Sequence, residues 1–260
     1  MSGRLRVGIA GALGRMGQAV AAAVDASEEA EAALLFDRPG TKGHAAGGRP
    51  LGRAADAADA ADVVIDFTTA EASTQLARRF AKSAGPALVI GSTGFTPGQE
   101  AEIRACAERL AIVKSGNFSL GVSLLLGLVR QAARALPDYD IEVFEAHHRR
   151  KADAPSGTAL MLAAAAAEAR CVHLADAEVR ARDGQTGPRP DGAIGFSVMR
   201  AGGIVGEHSV VLASEDEVLT LSHSARDRAL FARGAVTAAL WLKDKPPGLY
   251  GMDDVLGLER

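Results

Sequence analysis

Short apolar runs alternate with segments of helical periodicity over the first 115 residues of the chain. The apolar runs are 7–10, 32–36, 62–66 (which has an aspartate at each end), 87–90 and 111–113, and helical patterns lie between them at 15–25, 70–82 and 97–110. Strands that are apolar throughout, rather than at every second position, are typical of a parallel sheet whose two faces are both covered by helices. The pattern therefore predicts an α/β domain.

The pattern changes near residue 118, where we place the start of a second domain. Helices are predicted at 120–136 and 156–170, with strands at 140–145, 195–199, 208–212 and 218–222. The last three strands follow one another without a long helix between them, which indicates an antiparallel or mixed sheet and hence an α+β domain. A final amphipathic helix at 228–242 is suited to packing back on the first domain.

Charge and composition exclude several classes of function. A formal net charge of −3 and a pI near 6.1 provide no basic surface for nucleic acid. No apolar run reaches the roughly 18 residues of a membrane span, and the N-terminus lacks the apolar region of a signal peptide. We therefore expect a cytoplasmic protein with neither nucleic acid nor membrane as a partner.

The two cysteines, Cys106 and Cys171, form no C-x-x-C pair. This usage predicts neither a disulfide framework nor a zinc site. Both lie in alanine-rich, helix-like surroundings, and we expect both to be buried as small apolar side chains.

A glycine-rich turn joins the first predicted strand to the first helix. It runs from Gly11 through Gly14 to Gly17 with the spacing G-x-x-G-x-x-G, and Leu13 precedes the second glycine. Glycines at this point let backbone N–H groups approach a pyrophosphate, while the helix N-terminus adds partial positive charge. The alternative is a simple strand-to-helix turn, because the spacing differs from the standard G-x-G-x-x-G.

An acidic residue closes the second strand, as in dinucleotide-binding folds. Asp37 lies 20 residues beyond Gly17, where a carboxylate accepts hydrogen bonds from the adenosine ribose. Arg38 follows directly and is placed to meet a 2′-phosphate, so the pair suggests that both NADH and NADPH are accepted. The alternative is that both residues merely begin a polar loop.

Three further strand ends carry glycine or hydroxyl residues, at 66–69, 91–94 and 115–118. Cofactors of open α/β sheets bind outside the carboxyl ends of the strands. Each turn is ordinary by itself, but together they predict a wall for the nicotinamide half of a dinucleotide.

The most informative stretch is 145–158, with sequence EAHHRRKADAPSGT. Two histidines and three cations are followed by a helix start whose N–H groups and threonine hydroxyl can receive a carboxylate. The cations would attract a dianionic ligand, and histidine supplies a proton near neutral pH. A solvated surface turn is the competing interpretation, and a metal site is poorly supported by the spacing, so we predict no metal. His208 and His223 are expected to be structural, and His44 and His173 have no suggestive neighbours.

These segments together resemble the dihydrodipicolinate reductase family. The resemblance rests on residues 11–17, 66–68, 91–94, 117–119, 145–158, 200–208 and 255–258. The combination of His147-His148-x-x-Lys151 with Asp153-Ala154-Pro155-Ser156-Gly157-Thr158 behind a glycine loop is specific to that family. Two departures are Leu13, where the family often has a small residue, and Gly203, where it often has an acidic one.

The resemblance implies a two-domain reductase. Residues 1–117 with 227–260 would form a Rossmann dinucleotide-binding domain, and 118–226 a substrate-binding domain whose mixed sheet builds a homotetramer. The implied reaction is hydride transfer from NADH or NADPH to a cyclic imine dicarboxylate, giving tetrahydrodipicolinate in the diaminopimelate pathway to lysine.

Site roles are carried over by position. His147 resembles the general acid/base and Lys151 the proton donor, and His148, Gly157 and Thr158 resemble substrate-binding positions. The implied cofactor contacts are Gly11, Ala12, Leu13, Gly14, Arg15, Met16, Asp37, Arg38, Gly91, Ser92, Thr93, Ser115, Gly116, Asn117 and Phe118. These roles require that the basic loop face the nicotinamide ring.

Two other classes of protein fit part of the pattern. A dehydrogenase acting on aspartate semialdehyde or homoserine would share the glycine loop, but the His-His-x-x-Lys segment speaks against it. A non-catalytic NAD(P)-sensing Rossmann protein would not need a proton donor beside a carboxylate-binding helix start. Oxidation of cofactor in the presence of substrate separates an enzyme from such a sensor.

Overall fold

The computed structural model describes residues 3–41, 43, 45–83 and 85–258, with the side chain at 46 left out. His44, for which the sequence suggests no role, lies outside the described residues. The chain divides into two compact units: unit 1 is Met1–Leu120 with Ala229–Gly257, and unit 2 is Gly121–Arg228 with Leu258–Arg260.

Helices and strands follow in an order close to the predicted one, apart from short single turns at Ala46–Gly48 and Ala54–Asp56. In chain order they are β1 (Leu5–Ala10), α1 (Arg15–Asp25), β2 (Ala30–Phe36), α2 (Ala57–Ala60), β3 (Val63–Asp66), α3 (Ala70–Ser83), β4 (Ala87–Ile90), α4 (Pro97–Ala107), β5 (Ala111–Lys114), α5 (Leu120–Ala135), β6 (Asp140–His147), α6 (Gly157–Ala169), α7 (Leu174–Ala177), β7 (Glu178–Val179), β8 (Ile194–Arg200), β9 (Gly206–Ala213), β10 (Val218–Ala225), α8 (Ala229–Leu242), β11 (Gly248–Tyr250) and α9 (Met252–Leu256).

Unit 1 is built on a six-stranded parallel sheet in the order β11-β5-β4-β3-β1-β2. Alternate residues of β3 pack into two separate hydrophobic cores, one on each face of the sheet. Val63 and Ile65 lie in the cluster that contains Val20 of α1 and residues of α8, whereas Val64 lies with Phe80 of α3 in the other. Helices on both faces explain why these strands are apolar throughout, and the predicted α/β domain is confirmed.

Unit 2 contains a five-stranded mixed sheet in the order β10-β9-β6-β8-β7. β6 pairs with β8 in parallel and with β9 antiparallel. Val129 of α5 and Leu162 of α6 pack with Ile141, Val143 and other apolar residues of this sheet in a separate core. The mixed sheet expected from the sequence is confirmed.

Several local expectations differ from the structure. Cys171 is exposed and adopts a left-handed φ of 56° just after α6, and Cys106 is only partly buried, so the prediction that both are buried is wrong. β11 and α9 were not predicted, because three- and five-residue elements carry too little periodicity. Among the described residues, no helix combines the length and the apolar character needed to cross a bilayer.

The helix α8 belongs to unit 1 and packs closely on its backbone. A Cβ atom added at Gly234 would overlap the carbonyl oxygen of Phe118, which is backbone and cannot rotate away. We expect Gly234→Ala to lower the free energy of unfolding by about 2–3 kcal/mol through overpacking, measured by urea denaturation.

Gly98 provides the control for this substitution, since it also lies in a helix and its added Cβ would meet only Thr96 Oγ1 at 3.9 Å. Gly98→Ala should leave stability unchanged or raise it by about 0.5–1 kcal/mol. Equal effects of the two substitutions would contradict the close packing of α8.

Candidate active site

The glycine turn after β1 requires residues that have no side chain. Gly11 has a φ of 66°, a left-handed conformation that favours glycine, and its carbonyl accepts a hydrogen bond from Gly14 N at 2.9 Å. A Cβ atom at Gly17 would overlap that same carbonyl oxygen. The turn therefore brings the backbone close to the start of α1 and leaves the first-turn N–H groups of this helix available to an anion.

Asp37 follows β2 and is bonded to the glycine turn beside it. Its Oδ2 accepts a hydrogen bond from Leu13 N at 3.1 Å, and its Oδ1 accepts one from Arg38 N at 2.8 Å. The side chain of Asp37 is 13% exposed, whereas that of Arg38 is 91% exposed. The carboxylate thus fixes the turn and keeps further lone pairs for a ligand, while the guanidinium extends outward.

Both residues line a cleft of about 710 Å³ at the carboxyl ends of β1 and β2. A neighbouring cleft of about 550 Å³ shares the segment 67–69 with it. Of the residues predicted to bind cofactor, these two clefts bring together Gly11, Leu13, Gly14, Met16, Asp37, Arg38, Gly91, Ser92 and Thr93. Their contacts with a dinucleotide stay predictions.

The other predicted cofactor residues do not line these clefts. Ala12 and Phe118 are fully buried, and the Phe118 ring packs edge-on against Phe67 with centroids 5.5 Å apart. Ser115 and Asn117 bond to each other, with Ser115 Oγ donating to Asn117 O at 2.7 Å. The remaining members of this set, Arg15 and Gly116, are exposed.

Asp66 ends β3 and is fully buried. Its Oδ1 accepts hydrogen bonds from Thr68 N at 2.8 Å and from Thr68 Oγ1 at 2.6 Å. Burial raises the pKa of Asp66, and hydrogen bonding with Ser73 and Thr68 only partly opposes this effect. Because a Cβ at Gly11 would lie 2.8 Å from Thr68 Cγ2, Asp66 positions a residue that packs against the glycine turn.

In unit 2, alternation along β6 points Glu145 and His147 to the same side of the strand. His147 Nδ1 lies 2.5 Å from Glu145 Oε2, and Arg200 at the end of β8 donates to both oxygens of this carboxylate, at 2.8 and 2.9 Å. Glu145 is fully buried and His147 is 9% exposed. The interpretation of His147 as part of a solvated turn is therefore wrong.

His208 of β9 completes this buried group. Its ring meets that of His147 edge-on with centroids 5.1 Å apart, and its Nε2 lies 3.1 Å from Ser156 Oγ. Burial, followed by the neighbouring His147, lowers the pKa of His208 to about 4, so this imidazole is neutral near pH 7. His208 was expected to be only structural, yet it shares a cluster with the predicted acid/base.

The remaining predicted substrate residues lie on the loop after β6 and on α6. Lys151 Nζ pairs with Asp153 Oδ2 at 2.8 Å, and His148 Nε2 lies 2.9 Å from Arg228 Nη2. Desolvation, followed by the nearby cations, lowers the pKa of His148. Ser156 caps α6 by accepting from Ala159 N at 3.2 Å, and the predicted substrate residues Gly157 and Thr158 begin the helix.

Glu145, His147 and His208 each offer an atom that could bind a metal ion, and these three atoms lie within 4.8 Å of one another. Both oxygens of its carboxylate already accept hydrogen bonds from the guanidinium of Arg200. A metal ion would have to displace this cation, so the donor set fits a hydrogen-bonded proton-transfer group better than a metal centre. The prediction of no metal stays a prediction.

Sequence reasoning assigned no part in the site to Glu145, Arg200 or His208. The spacing of Glu145 and His147 was a usable signal, because residues two apart on a strand share a face. No local strand pattern of this kind exists for Arg200, which begins the segment 200–208 that carries part of the resemblance and is paired with His147 through the register of β6 and β8.

Unit 1 has a parallel sheet with a glycine turn and an acidic residue at the carboxyl ends of its strands. Unit 2 is an α+β unit that carries a buried glutamate–histidine pair. Together these features define a two-domain oxidoreductase. Models of the family described as dihydrodipicolinate reductase match the chain twice, its N-terminus over residues 5–118 and its C-terminus over 121–256. The chain belongs to the dihydrodipicolinate reductase family, and the resemblance stated from the sequence is confirmed.

Individual relatives agree with this assignment. The 4-hydroxy-tetrahydrodipicolinate reductase of Caulobacter vibrioides is 60% identical over 262 residues, covering 100% of both chains. The enzyme of the same name from Rhizobium rhizogenes is 51% identical over 98% of this chain and 97% of its own. A dipicolinate-bound dihydrodipicolinate reductase from Paenisporosarcina sp. TG-14 has a TM-score of 0.81 at 27% identity, covering 96% of this chain and 99% of its own.

The buried carboxyl of Asp66 makes stability depend on pH in a defined direction. Its raised pKa means that the native state keeps this proton at a pH where the unfolded chain has lost it, so Asp66 lowers stability as pH rises above about 4. We expect the unfolding free energy of Asp66→Asn, minus that of the wild type, to increase with pH, by up to about 1.4 kcal/mol per unit.

Urea denaturation between about pH 4 and 7 measures this difference, and Asp191→Asn, at an exposed loop position, is the control. A difference for Asp66→Asn that stays constant with pH would show that Asp66 is ionised in the native protein.

Proposed function

We propose that this chain reduces the cyclic imine dicarboxylate 4-hydroxy-tetrahydrodipicolinate to tetrahydrodipicolinate with NADH or NADPH, in the diaminopimelate pathway to lysine. The observation that carries the proposal is the loop from His147 to Thr158, which joins a buried imidazole, an ammonium and a capped helix start in twelve residues. Full-length identity of 60% to a reductase of this name supports it.

The chain's residues fit the binding of a dianionic substrate. The first-turn N–H groups of α6, with Gly157 and Thr158 at its start, suit one carboxylate. Lys151, with the adjacent arginines, supplies positive charge for the other, and His148, whose lowered pKa favours the neutral ring, supplies an imidazole beside them. These substrate contacts are proposals based on position in the fold and on the family motif.

A nicotinamide held by the residues of the glycine turn would supply a hydride to C4 of the conjugated imine, which forms when the substrate loses its 4-hydroxyl group as water. Electrons then move toward the ring nitrogen, and the enamine formed must take a proton at C3. We assign this proton to Lys151 and the acid/base role to His147, since a positioned acid typically contributes about 10²–10⁴-fold. The reaction requires that this loop and the cofactor meet at one substrate.

We also propose that residues 1–117 with 227–260 bind the cofactor and that 118–226 bind substrate and assemble a homotetramer. Exposed apolar side chains on β8 and β10, Met199 at 46% and Val218 at 64%, support an interface on the sheet of unit 2. We also propose that the protein is cytoplasmic.

The primary test is oxidation of NADPH or NADH by the purified protein. The substrate is the condensation product of pyruvate and aspartate semialdehyde, and the decrease in absorbance of the reduced cofactor is followed. Turnover supports the proposed reduction, and cofactor binding without oxidation would favour a non-catalytic sensor.

Removing the proposed proton donors should lower turnover without weakening the binding of the cofactor. We expect Lys151→Met and His147→Asn each to reduce kcat by about 10²-fold or more, because each removes an acid that acts in the transition state. Cofactor affinity, measured by fluorescence titration, should stay within about twofold. Lys82→Met, at the exposed end of α3, is the matched control, and full activity of both site variants would refute the assigned roles.

Opposite effects on the two cofactors are expected at Asp37 and Arg38. Asp37→Asn keeps an acceptor for Leu13 N but loses the charge that binds ribose hydroxyls. The affinity for NADH should therefore fall by about 10-fold and the affinity for NADPH by less. Arg38→Gln should lower the affinity for NADPH by a similar factor and leave the affinity for NADH unchanged. Calorimetric titration of both cofactors checks this, and equal losses for each variant would argue against ribose and phosphate contacts.

A further inference from the structure

The catalytic histidine proposed above is bonded to a carboxylate whose position is fixed by several other hydrogen bonds. Glu145 accepts four hydrogen bonds: two from Arg200, one from Ser156 N at 3.0 Å, and one from His147 Nδ1. Burial by itself raises the pKa of Glu145, but the bonds from Arg200, His147 and Ser156 outweigh it, and the pKa is lower than usual. The group is therefore an anion and can act only as an acceptor.

An anionic acceptor determines which nitrogen of His147 carries the proton. Since Glu145 Oε2 has no hydrogen to donate, the 2.5 Å contact requires a proton on Nδ1. In the neutral ring Nε2 is then the bare nitrogen, and in the charged ring Nε2–H is the proton that can be given to a reacting group. The exchangeable site is thus Nε2, on the edge of the ring away from Glu145.

The surroundings of the ring leave Nε2 room and fix its direction. A Cβ atom added at Gly206 would lie 3.2 Å from His147 Nε2, so the absence of a side chain there keeps this edge open. On another side the ring meets His208 edge-on. Rotation of the imidazole would break the bond to Glu145 and bring Nδ1 out of reach of any comparable acceptor in its cluster.

We propose that Glu145, clamped by Arg200, is the positioning residue that fixes the tautomer and orientation of His147, so that Nε2 exchanges the proton of the reaction. This inference rests on the proposed function for its kinetic consequence, but the tautomer itself can be measured without turnover. Arg200 acts through Glu145: its planar fork meets both oxygens, and it also donates to Asp153 O at 2.7 Å.

The same strand provides a matched comparison. Glu142 lies three residues earlier on β6 and is held by Arg182 at 2.8 Å and by Arg189, as Glu145 is held by Arg200. No imidazole is bonded to Glu142 among the described side chains. Glu142→Gln therefore removes an arginine-bound carboxylate from β6 without touching the proposed acid/base.

The test compares Glu145→Gln with Glu142→Gln. In Glu145→Gln the amide oxygen should remain with Ser156 N and Arg200, which leaves the NH₂ group facing His147 Nδ1 and favours a proton on Nε2 instead. Nitrogen-15 NMR of histidine-labelled protein, assigned with His147→Asn and recorded at a pH where the ring is neutral, should show Nδ1–H in the wild type and in Glu142→Gln, and Nε2–H in Glu145→Gln.

Kinetics supply the second readout. We expect Glu145→Gln to lower kcat by about 10²-fold with the substrate KM within about threefold, since the loss is in the transition state, and Glu142→Gln to keep wild-type kcat. Glu145→Asp, which retains the charge on a shorter side chain, should recover part of the lost kcat.

A double variant separates positioning from stability. Glu145→Gln leaves the guanidinium of Arg200 without its anion, which can destabilise the fold, whereas Glu145→Gln with Arg200→Gln removes both charges. We expect the double variant to regain thermal stability while kcat stays low. Recovery of kcat together with stability, or an Nδ1–H tautomer in Glu145→Gln, would overturn the inference. Absence of turnover in the wild type would refute the proposed function and leave the NMR test of the tautomer intact.

Discussion

The carboxylate of Glu145 joins three elements of unit 2, β6, β8 and α6, by polar contacts. It lies on β6, receives both arms of the guanidinium from the end of β8, and accepts the backbone N–H of Ser156 just before α6. The basic loop that carries Lys151 leaves β6 two residues later and enters α6 at Ser156, so one buried anion ties both of its ends. A loop held at both ends carries Lys151 on the same short segment as the helix start, as the proposed binding of a dicarboxylate requires.

Two fully buried carboxyl groups in this chain have pKa values shifted in opposite directions, and the difference is explained by their partners. Burial raises the pKa of both. Asp66 receives hydrogen bonds from the neutral groups of Thr68, whereas Glu145 receives charge-assisted bonds from Arg200 and is held as an anion. A carboxyl that only orders a turn can stay protonated, but one that must accept from an imidazole has to be charged.

Much of the fold and of the candidate site could be predicted from the sequence because the informative signals are local. Apolar runs located the strands of unit 1, and the Pro-Ser-Gly-Thr sequence located the start of α6 within one residue. Arg200 could not be found this way, since it is 55 residues from Glu145 in sequence and is brought there by the pairing of β6 with β8. Cys171 was misjudged because the end of α6 is set by the left-handed residue at 171, which an alanine-rich composition does not reveal.

Stability alone does not explain a buried Glu145–Arg200 pair. Removing an arginine and a carboxylate from water costs several kcal/mol per ion, and replacing such a pair by packed apolar residues is often neutral or stabilising. Apolar residues at 145 and 200 would, however, leave His147 Nδ1 without an acceptor in a cluster where His208, neutral near pH 7, is the nearest ring. The arginine is required because an isolated buried glutamate would tend to be protonated, as burial does to Asp66, and a protonated acid would no longer dictate the tautomer of the histidine. The pair is thus best understood as the means by which a buried strand presents a defined Nε2 for proton transfer.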